Sequence, residues 1–342
     1  MSKRNIEAVY PLSPMQQGML FHSLYAPESG VYVEQLSCTL RGDLDVPAFR
    51  RAWQRVVDRH AVLRTSFVWK QLDKTLQVVH RQVTIPLEQQ DWRGLSPAQQ
   101  QARLDAFLQQ ERRRGFDLSH PPLARLALMR TAEDAHIFVW SHHHILLDGW
   151  SLPLILGEVF ALYEAFRQGR DLYLKPARPY RDYIAWLQRQ DLAEAEAFWR
   201  ETLAGFTAPT PLVVDRPVEA GEAHKEAYGV LESHLPATTT ATLQALARQH
   251  RLTLSTVVQG AWALLLNRYS GEDDVVFGAT VSGRPPDLPG VETMVGLFIN
   301  TLPVRARIRP ETPVVEWLRR LQAQLAAMRQ YEYSPLVQVQ EW

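Results

Sequence analysis

The chain has 342 residues, of which 46% are apolar, and it carries 37 basic and 37 acidic side chains. This composition supports one or two globular domains with sizeable cores, and the balanced charge provides no overall field for a nucleic acid or an anionic membrane surface. No window approaches the roughly 18 continuous apolar residues of a membrane span, and the N-terminal residues lack the apolar core of a secretory signal. We therefore expect a cytoplasmic protein that binds neither nucleic acid nor membrane.

Periodicity predicts an alternation of strands and helices along the chain. In chain order these are a strand at 33–40, a helix at 45–60, extended segments at 63–68 and 76–80, a helix at 97–114, a strand at 135–141, a helix at 151–168, a strand at 231–235, a helix ending at His250, a helix at 254–269, strands at 274–281 and 297–304, and a helix at 313–329. Ser96 and Ser151 stand where N-caps are expected. The alternation is typical of a mixed α/β architecture.

The single cysteine, Cys38, excludes an intramolecular disulfide and suits a reducing compartment. The residues around it, Gln35 to Leu40, alternate as in a half-buried strand. We therefore expect a thiol in the core rather than a reactive one.

The segment GRDLYLKPARPY, Gly169 to Tyr180, combines prolines and charges without a hydrophobic period. It predicts a connector between two lobes. The predicted division is an N-terminal lobe at 1–170, a connector at 171–179 and a C-terminal lobe at 180–342. Each lobe contains a strand, turn and helix in the same order, which leaves duplication and chance similarity open.

Three consecutive histidines, His142, His143 and His144, follow a predicted strand in the stretch SHHHILLDGWS. If the strand continues through them, His142 and His144 project from one face and His143 from the other. Three roles remain open at this point: buried imidazoles at a strand end, zinc chelation by His142 and His144, and proton chemistry in an acyl transfer. Of these three roles, zinc chelation is the one that the sequence disfavours, because no other Cys/His cluster completes a zinc shell. We therefore predict no metal site.

The heptapeptide HHILLDG, His143 to Gly149, resembles the His-His-x-x-x-Asp-Gly signature of condensation domains of nonribosomal peptide synthetases, which are relatives of chloramphenicol acetyltransferase. Five further segments resemble motifs of this family and follow its order. They are LSPMQQGMLFH (12–22), RHAVLRTSF (59–67), YRDYIAW (180–186), VGLFINTLPVR (295–305) and YEYSPLVQVQEW (331–342). The resemblance covers almost the whole chain.

The chain also departs from the family pattern. Ala61 replaces the usual Glu of the second motif, although Arg64 is retained. Family members usually continue beyond the sixth motif, whereas this sequence stops at Trp342, so we expect an incomplete C-terminal lobe. The paired aspartates of heterocyclisation domains are absent, and the order Asp-Gly-Trp-Ser differs from that of epimerisation domains. The motifs are most similar to those of condensation domains that accept an L-configured donor.

The resemblance implies an α/β fold with mixed sheets, in which two chloramphenicol-acetyltransferase-like lobes form a V-shaped pseudo-dimer with the active site between them. It implies that His144 contacts the reacting amine or the tetrahedral intermediate, and that His143 is structural. It also implies that Asp148 pairs with Arg64 to hold the loop, and that Gly149 leaves room for a thioester.

Trp150 and Asn300 are further candidates, each either lining the site or satisfying the core. The implied reaction is attack by the amine of an acceptor aminoacyl thioester on a donor aminoacyl or peptidyl thioester. The implied partners are donor and acceptor peptidyl carrier proteins, which bear 4′-phosphopantetheine, and an adjacent adenylation domain; no cofactor is expected on the chain itself. Two alternatives remain: a non-catalytic module that docks or gates carriers, and a stand-alone acyltransferase that uses coenzyme A thioesters.

Overall fold

A computed structural model describes residues 5–27, 29–70, 74–212 and 231–342. The chain divides into two compact units. The first comprises Met1–Gln190 and Arg284–Ile299, and the second comprises Asp191–Gly283 and Asn300–Trp342. The architecture is mixed α/β, as the alternating pattern predicted.

The boundary predicted from the sequence differs from this division, because residues 180–190 and 284–299 belong to the first unit. Buried aromatic contacts explain the difference. The Tyr180 hydroxyl donates a hydrogen bond to the carbonyl of Leu297 at 2.5 Å. The Tyr180 ring also packs edge-on against Phe298, with the ring centroids 5.3 Å apart. The segment at 284–299 therefore returns to the first unit after a long excursion of the chain.

The first unit contains seven strands and five α-helices among its described residues. In chain order these are β1 (Ile6–Pro11), α1 (Pro14–Tyr25), β2 (Val33–Arg41), α2 (Val46–Arg59), β3 (Thr65–Val68), β4 (Leu76–His80), β5 (Leu87–Asp91), α3 (Pro97–Arg114), β6 (Ala124–Ala132), β7 (Ala135–His143), α4 (Ser151–Arg167) and α5 (Arg181–Leu187). The patterns at 97–114 and 76–80 predicted α3 and β4 at these bounds. The strands β1, β5 and β6 and the helices α1 and α5 were not predicted.

Two sheets form the framework of the first unit. One has the order β1-β4-β3, and the other has the order β2-β7-β6-β5, in which only the β5–β6 pair is parallel. Helices α2 and α4 cover one face of the second sheet, where Phe49 and Trp53 pack against Phe138 and Trp140. This core supports the end of β7, from which the histidines follow.

The prediction of a buried thiol is wrong. Strand β2 forms as predicted, but it lies at the edge of its sheet, and Cys38 is exposed. Partial desolvation raises the pKa of the Cys38 thiol above its usual value. The alternation of residues identified the strand, but it could not tell which face of that strand is covered.

The second unit contains β8 (Asp274–Val281) and β9 (Asn300–Arg307), which pair antiparallel, and five helices among its described residues. The helices are α6 (Leu192–Leu203), α7 (Ala237–His250), α8 (Leu254–Ser270), α9 (Val314–Met328) and α10 (Leu336–Glu341). Residues 231–236 have no regular structure, so the predicted strand at 231–235 is wrong. Within the described residues, no helix combines the length and apolarity needed to span a bilayer.

Candidate active site

Strand β7 ends at His143, so His144, the histidine that the family resemblance places at the reaction centre, lies just beyond the strand. The backbone N–H of His144 still donates to the carbonyl of Tyr32 at 2.8 Å, but the chain then turns. Leu146 and Leu147 donate to the carbonyls of His143 and His144, at 3.1 and 3.2 Å. The expectation that His142 and His144 share one strand face is therefore wrong, because His144 belongs to the turn.

The hydrogen bond at Nδ1 selects one of the two neutral tautomers of the His144 ring. Nδ1 lies 2.7 Å from the carbonyl oxygen of Leu147. A carbonyl oxygen only accepts, so Nδ1 carries the proton, and Nε2 of the neutral ring presents a lone pair. No side chain of the described segments bonds to Nε2, and His144 is partly exposed. His144 is therefore arranged to accept a proton or a hydrogen bond from an incoming group.

His143 and Gln16 hold the residue that follows His144. The N–H of Ile145 donates to Nδ1 of His143 at 3.1 Å. The side-chain amide of the fully buried Gln16, in α1, donates to the carbonyl of Ile145 at 3.1 Å. Burial lowers the pKa of His143 to about 3, so this ring stays neutral. The structural role that the family resemblance implied for His143 agrees with these contacts.

His142 points into the core of the first unit. Its ring lies 4.7 Å from that of Trp140, and its Nδ1 is buried without a hydrogen-bond partner in the described chain. Burial lowers the pKa of His142 to about 3. His142 and His144 thus lie in different environments, and the described residues contain no group of three potential metal ligands.

The carboxylate of Asp148 is almost completely buried and lies in a dense set of donors. The N–H of Ser151 donates to Oδ1 at 3.0 Å, and the N–H of Phe298 donates to Oδ2 at 3.1 Å. The Ser151 hydroxyl lies 2.7 Å from Oδ1 of Asp148 and 2.9 Å from the carbonyl oxygen of Gly296. The prediction that Ser151 is the N-cap of α4 is therefore wrong. Ser151 is the first residue of the helix, and its N–H and hydroxyl groups bind Asp148.

Arg284, rather than Arg64, is the cationic partner of Asp148. Its guanidinium lies 3.2 and 3.3 Å from the two carboxylate oxygens, and the two side chains are 5% and 1% exposed. The same guanidinium donates to the carbonyls of Val291 and Met294 and stacks 4.0 Å from the Phe298 ring. Burial lowers the pKa of Arg284 below its usual value. This pair joins the signature turn to the segment at 284–299.

The predicted pairing of Asp148 with Arg64 is therefore wrong. Arg64 is buried, and it donates to a carboxylate oxygen of Glu7 at 2.6 Å. It also donates to the carbonyls of Val57 and His80. These contacts tie together β1, β4 and the end of α2, which makes Arg64 a structural residue of the framework.

Gly149 and Trp150 form the exposed part of the signature turn. A Cβ placed on Gly149 would have no heavy atom within 4 Å, and the residue does not adopt a left-handed backbone. The chain's own packing therefore does not require glycine here. Trp150 is 53% exposed, and its indole N–H donates to the carbonyl of Glu292 at 3.0 Å. Both residues border open space beside Asp148.

Asn300 lies in the second unit, where it is buried. Its amide group donates to the carbonyls of Glu332 and Ser334, at 2.8 and 2.7 Å, and its oxygen accepts from the N–H of Thr301. Both N–H donors of the side chain are in use. Of the two roles left open for Asn300, these contacts support the one that satisfies the core.

Gly296 provides a test of this network, because its backbone contacts Ser151 and Asp148. A Cβ at Gly296 would lie 2.2 Å from Cδ2 of the buried Tyr180. We expect Gly296→Ala to lower the free energy of unfolding by about 1–3 kcal/mol, as overpacking does. Gly149→Ala, which meets no atom, should leave it within about 0.5 kcal/mol. Urea unfolding followed by tryptophan fluorescence measures both, and equal losses in the two variants would contradict the packing at Gly296.

The comparisons with known proteins identify the family of the chain. The family model for the condensation domain matches residues 6–341. One of the linear gramicidin synthase proteins of Brevibacillus parabrevis is 53% identical over 338 residues, which are 99% of this chain and 7% of that protein. Bacitracin synthase 3 of Bacillus licheniformis is 40% identical over 98% of this chain and 5% of its own length. The chain thus spans only a small part of the curated relatives it matches.

Solved structures share the fold. The X-domain from teicoplanin biosynthesis superposes with a TM-score of 0.80 at 28% identity, over 97% of this chain and 73% of that one. The first condensation domain of the calcium-dependent antibiotic synthetase gives a TM-score of 0.77 at 20% identity, over 96% and 76%. The fold and the signature turn define an acyl-transfer domain of the condensation type. The chain belongs to the condensation domain family of nonribosomal peptide synthetases, whose general function is peptide-bond formation.

Proposed function

We propose that the chain joins two carrier-bound substrates by attack of an acceptor α-amine on the carbonyl of a donor thioester, with an L-configured donor. A thioester is already activated, and a free amine is already a nucleophile, so orientation and the handling of one proton carry most of the catalysis. The observation that carries the proposal is the lone pair of Nε2 on His144, which the Nδ1–Leu147 hydrogen bond fixes. The amide forms as the amine loses a proton and the donor thiol leaves.

Each residue of the turn has a proposed part in this reaction. His144 accepts the amine proton or a hydrogen bond from it, and Gly149 leaves space for the thioester because no protein atom approaches its Cβ position. Asp148 does not reach the substrate; it holds the turn through Ser151 and Arg284. The thioesters arrive on the 4′-phosphopantetheine arms of two peptidyl carrier proteins, next to an adenylation domain, in the cytoplasm.

The test uses donor and acceptor carriers loaded with amino acids and follows dipeptide formation by intact-protein mass spectrometry. His144→Ala is expected to lower the rate by about 10²–10⁴-fold, the range for a lost acid–base group. His120→Ala removes an exposed imidazole in the same unit and serves as the control. Wild-type rates in His144→Ala would remove His144 from the mechanism.

A docking role without catalysis is the second candidate. The X-domain from teicoplanin biosynthesis, which has this fold, has been solved in complex with OxyB. If the wild-type chain binds loaded carriers without forming product, this second function is favoured. Turnover of free acyl-coenzyme A, but not of carrier-bound thioesters, would instead favour the stand-alone acyltransferase.

A further inference from the structure

Ser23 is a half-buried residue near the end of α1, just beyond the motif at 12–22. Its hydroxyl lies 2.7 Å from the carbonyl of Met19, one turn earlier in the helix. The same hydroxyl lies 3.2 Å from Nε2 of His143, which is 120 residues away in sequence. Ser23 thus connects the first helix to the first histidine of the signature.

The proton positions along this contact are determined by its two ends. A serine hydroxyl has one proton, and the Met19 carbonyl can only accept it, so Ser23 must accept from His143. His143 therefore carries its proton on Nε2. At the other side of the ring, the Ile145 N–H can only donate, so it requires a bare Nδ1. Both contacts select the same neutral form of His143.

The next ring has the opposite form. The proton of His144 is on Nδ1, facing the Leu147 carbonyl, and the lone pair is on Nε2. The backbone just after His144 is held at Ile145, whose N–H donates to His143 and whose carbonyl accepts from Gln16. A rotation of the His143 ring would release the Ile145 N–H. The turn that places Nδ1 of His144 against Leu147 would lose that support.

We propose that Ser23 is a positioning residue for His144: by accepting from His143, it keeps the turn in the form that leaves Nε2 of His144 as an acceptor. The inference rests on the proposed function of His144. The alternative is that the Ser23 hydroxyl only bonds the preceding helical turn, a common and weakly consequential contact. The two differ in whether the loss of the hydroxyl changes the state of the His144 ring.

The kinetic experiment compares Ser23→Ala, Ser23→Thr and the wild type with loaded carriers. Ser23→Ala is expected to lower kcat about 10-fold while KM stays within about twofold, because Ser23 acts through His144 and contacts no substrate. Ser23→Thr keeps the hydroxyl, and its methyl group has room in a neighbouring cavity of about 170 Å³, so it should restore kcat. Thr242→Ala is the matched control, because Thr242 makes the same helical hydroxyl bond in α7 and its hydroxyl bonds to no histidine among the described residues.

Long-range ¹H–¹⁵N spectra of the histidine rings give a second readout that needs no substrate. The wild type should show His143 protonated on Nε2 and His144 on Nδ1, and Ser23→Ala should mix the two forms of His144. An unchanged His144 spectrum, unchanged kcat in Ser23→Ala, or a Ser23→Thr variant as slow as Ser23→Ala would each overturn the proposal. If the wild type forms no dipeptide, the proposed function fails, while the spectra still decide on Ser23. Ser23→Cys, a weak acceptor of similar size, replaces Ser23→Ala if that variant does not fold.

Discussion

Replacing Arg284 with methionine is expected to lower the free energy of unfolding by about 3–5 kcal/mol, because it leaves the buried Asp148 carboxylate without its counter-ion. The magnitude follows from burial, since the two side chains are 5% and 1% exposed. Urea unfolding at neutral pH measures the loss. Arg55→Met breaks an exposed ion pair with Asp171 in the same unit and should cost no more than about 1 kcal/mol. A similar cost for both variants would contradict the buried pair.

A double-mutant cycle decides which arginine forms the ion pair with Asp148. Asp148→Asn combined with Arg284→Met should be less destabilised than the sum of the single variants, because the second change removes an unpaired charge. Asp148→Asn combined with Arg64→Met should be additive, since Arg64 contacts Glu7 and two carbonyls instead. Coupling of Asp148 to Arg64, with none to Arg284, would contradict the Asp148–Arg284 pair and support the pairing that the family resemblance implied.

The choice of partner shows where inference from the sequence ends. The family resemblance implied that an arginine pairs with Asp148, and the structure places Arg284, not Arg64, beside it. Its partner lies 136 residues later in the chain, and no local pattern distinguishes that arginine from the other basic residues. The same limit applies to Gln16. It lies inside a recognised motif, but its hydrogen bond to the Ile145 carbonyl spans 129 residues. Local periodicity carries no information about contacts of this length.

The sequence predicted whether a segment is a helix or a strand better than it predicted where the element ends or which of its residues are exposed. Strand β7 was expected where the apolar run occurs, but its end at His143 depends on the turn bonds that follow it. Strand β6 was missed because its arginine and threonine residues interrupt the apolar pattern, although the sheet buries most of it. The position of β2 at a sheet edge decides the exposure of Cys38, and strand order cannot be derived from alternation.

The stability of the chain is expected to fall as the pH drops from about 6.5 towards 3, because His142 and His143 are buried as neutral rings. Burial lowers both pKa values from 6.5 to about 3. Between these values the unfolded chain binds protons that the folded chain does not. Unfolding therefore becomes easier by up to about 1.4 kcal/mol per pH unit for each ring. Above 6.5 neither ring contributes a pH dependence, since it is neutral in both states.

The variant His142→Met isolates one of the two rings. Methionine has a similar volume and no buried Nδ1 to leave unpaired, so the variant should remain folded at pH 7. Its free energy of unfolding, measured with urea, should fall less steeply between pH 6 and pH 4. The slope should be smaller by up to about 1.4 kcal/mol per pH unit, which corresponds to one proton. His234→Gln, which removes an exposed imidazole, is the control. If the slopes of His142→Met and the wild type run parallel, His142 is protonated in the folded chain. The contact of its ring with Trp140 would then have to tolerate a buried charge.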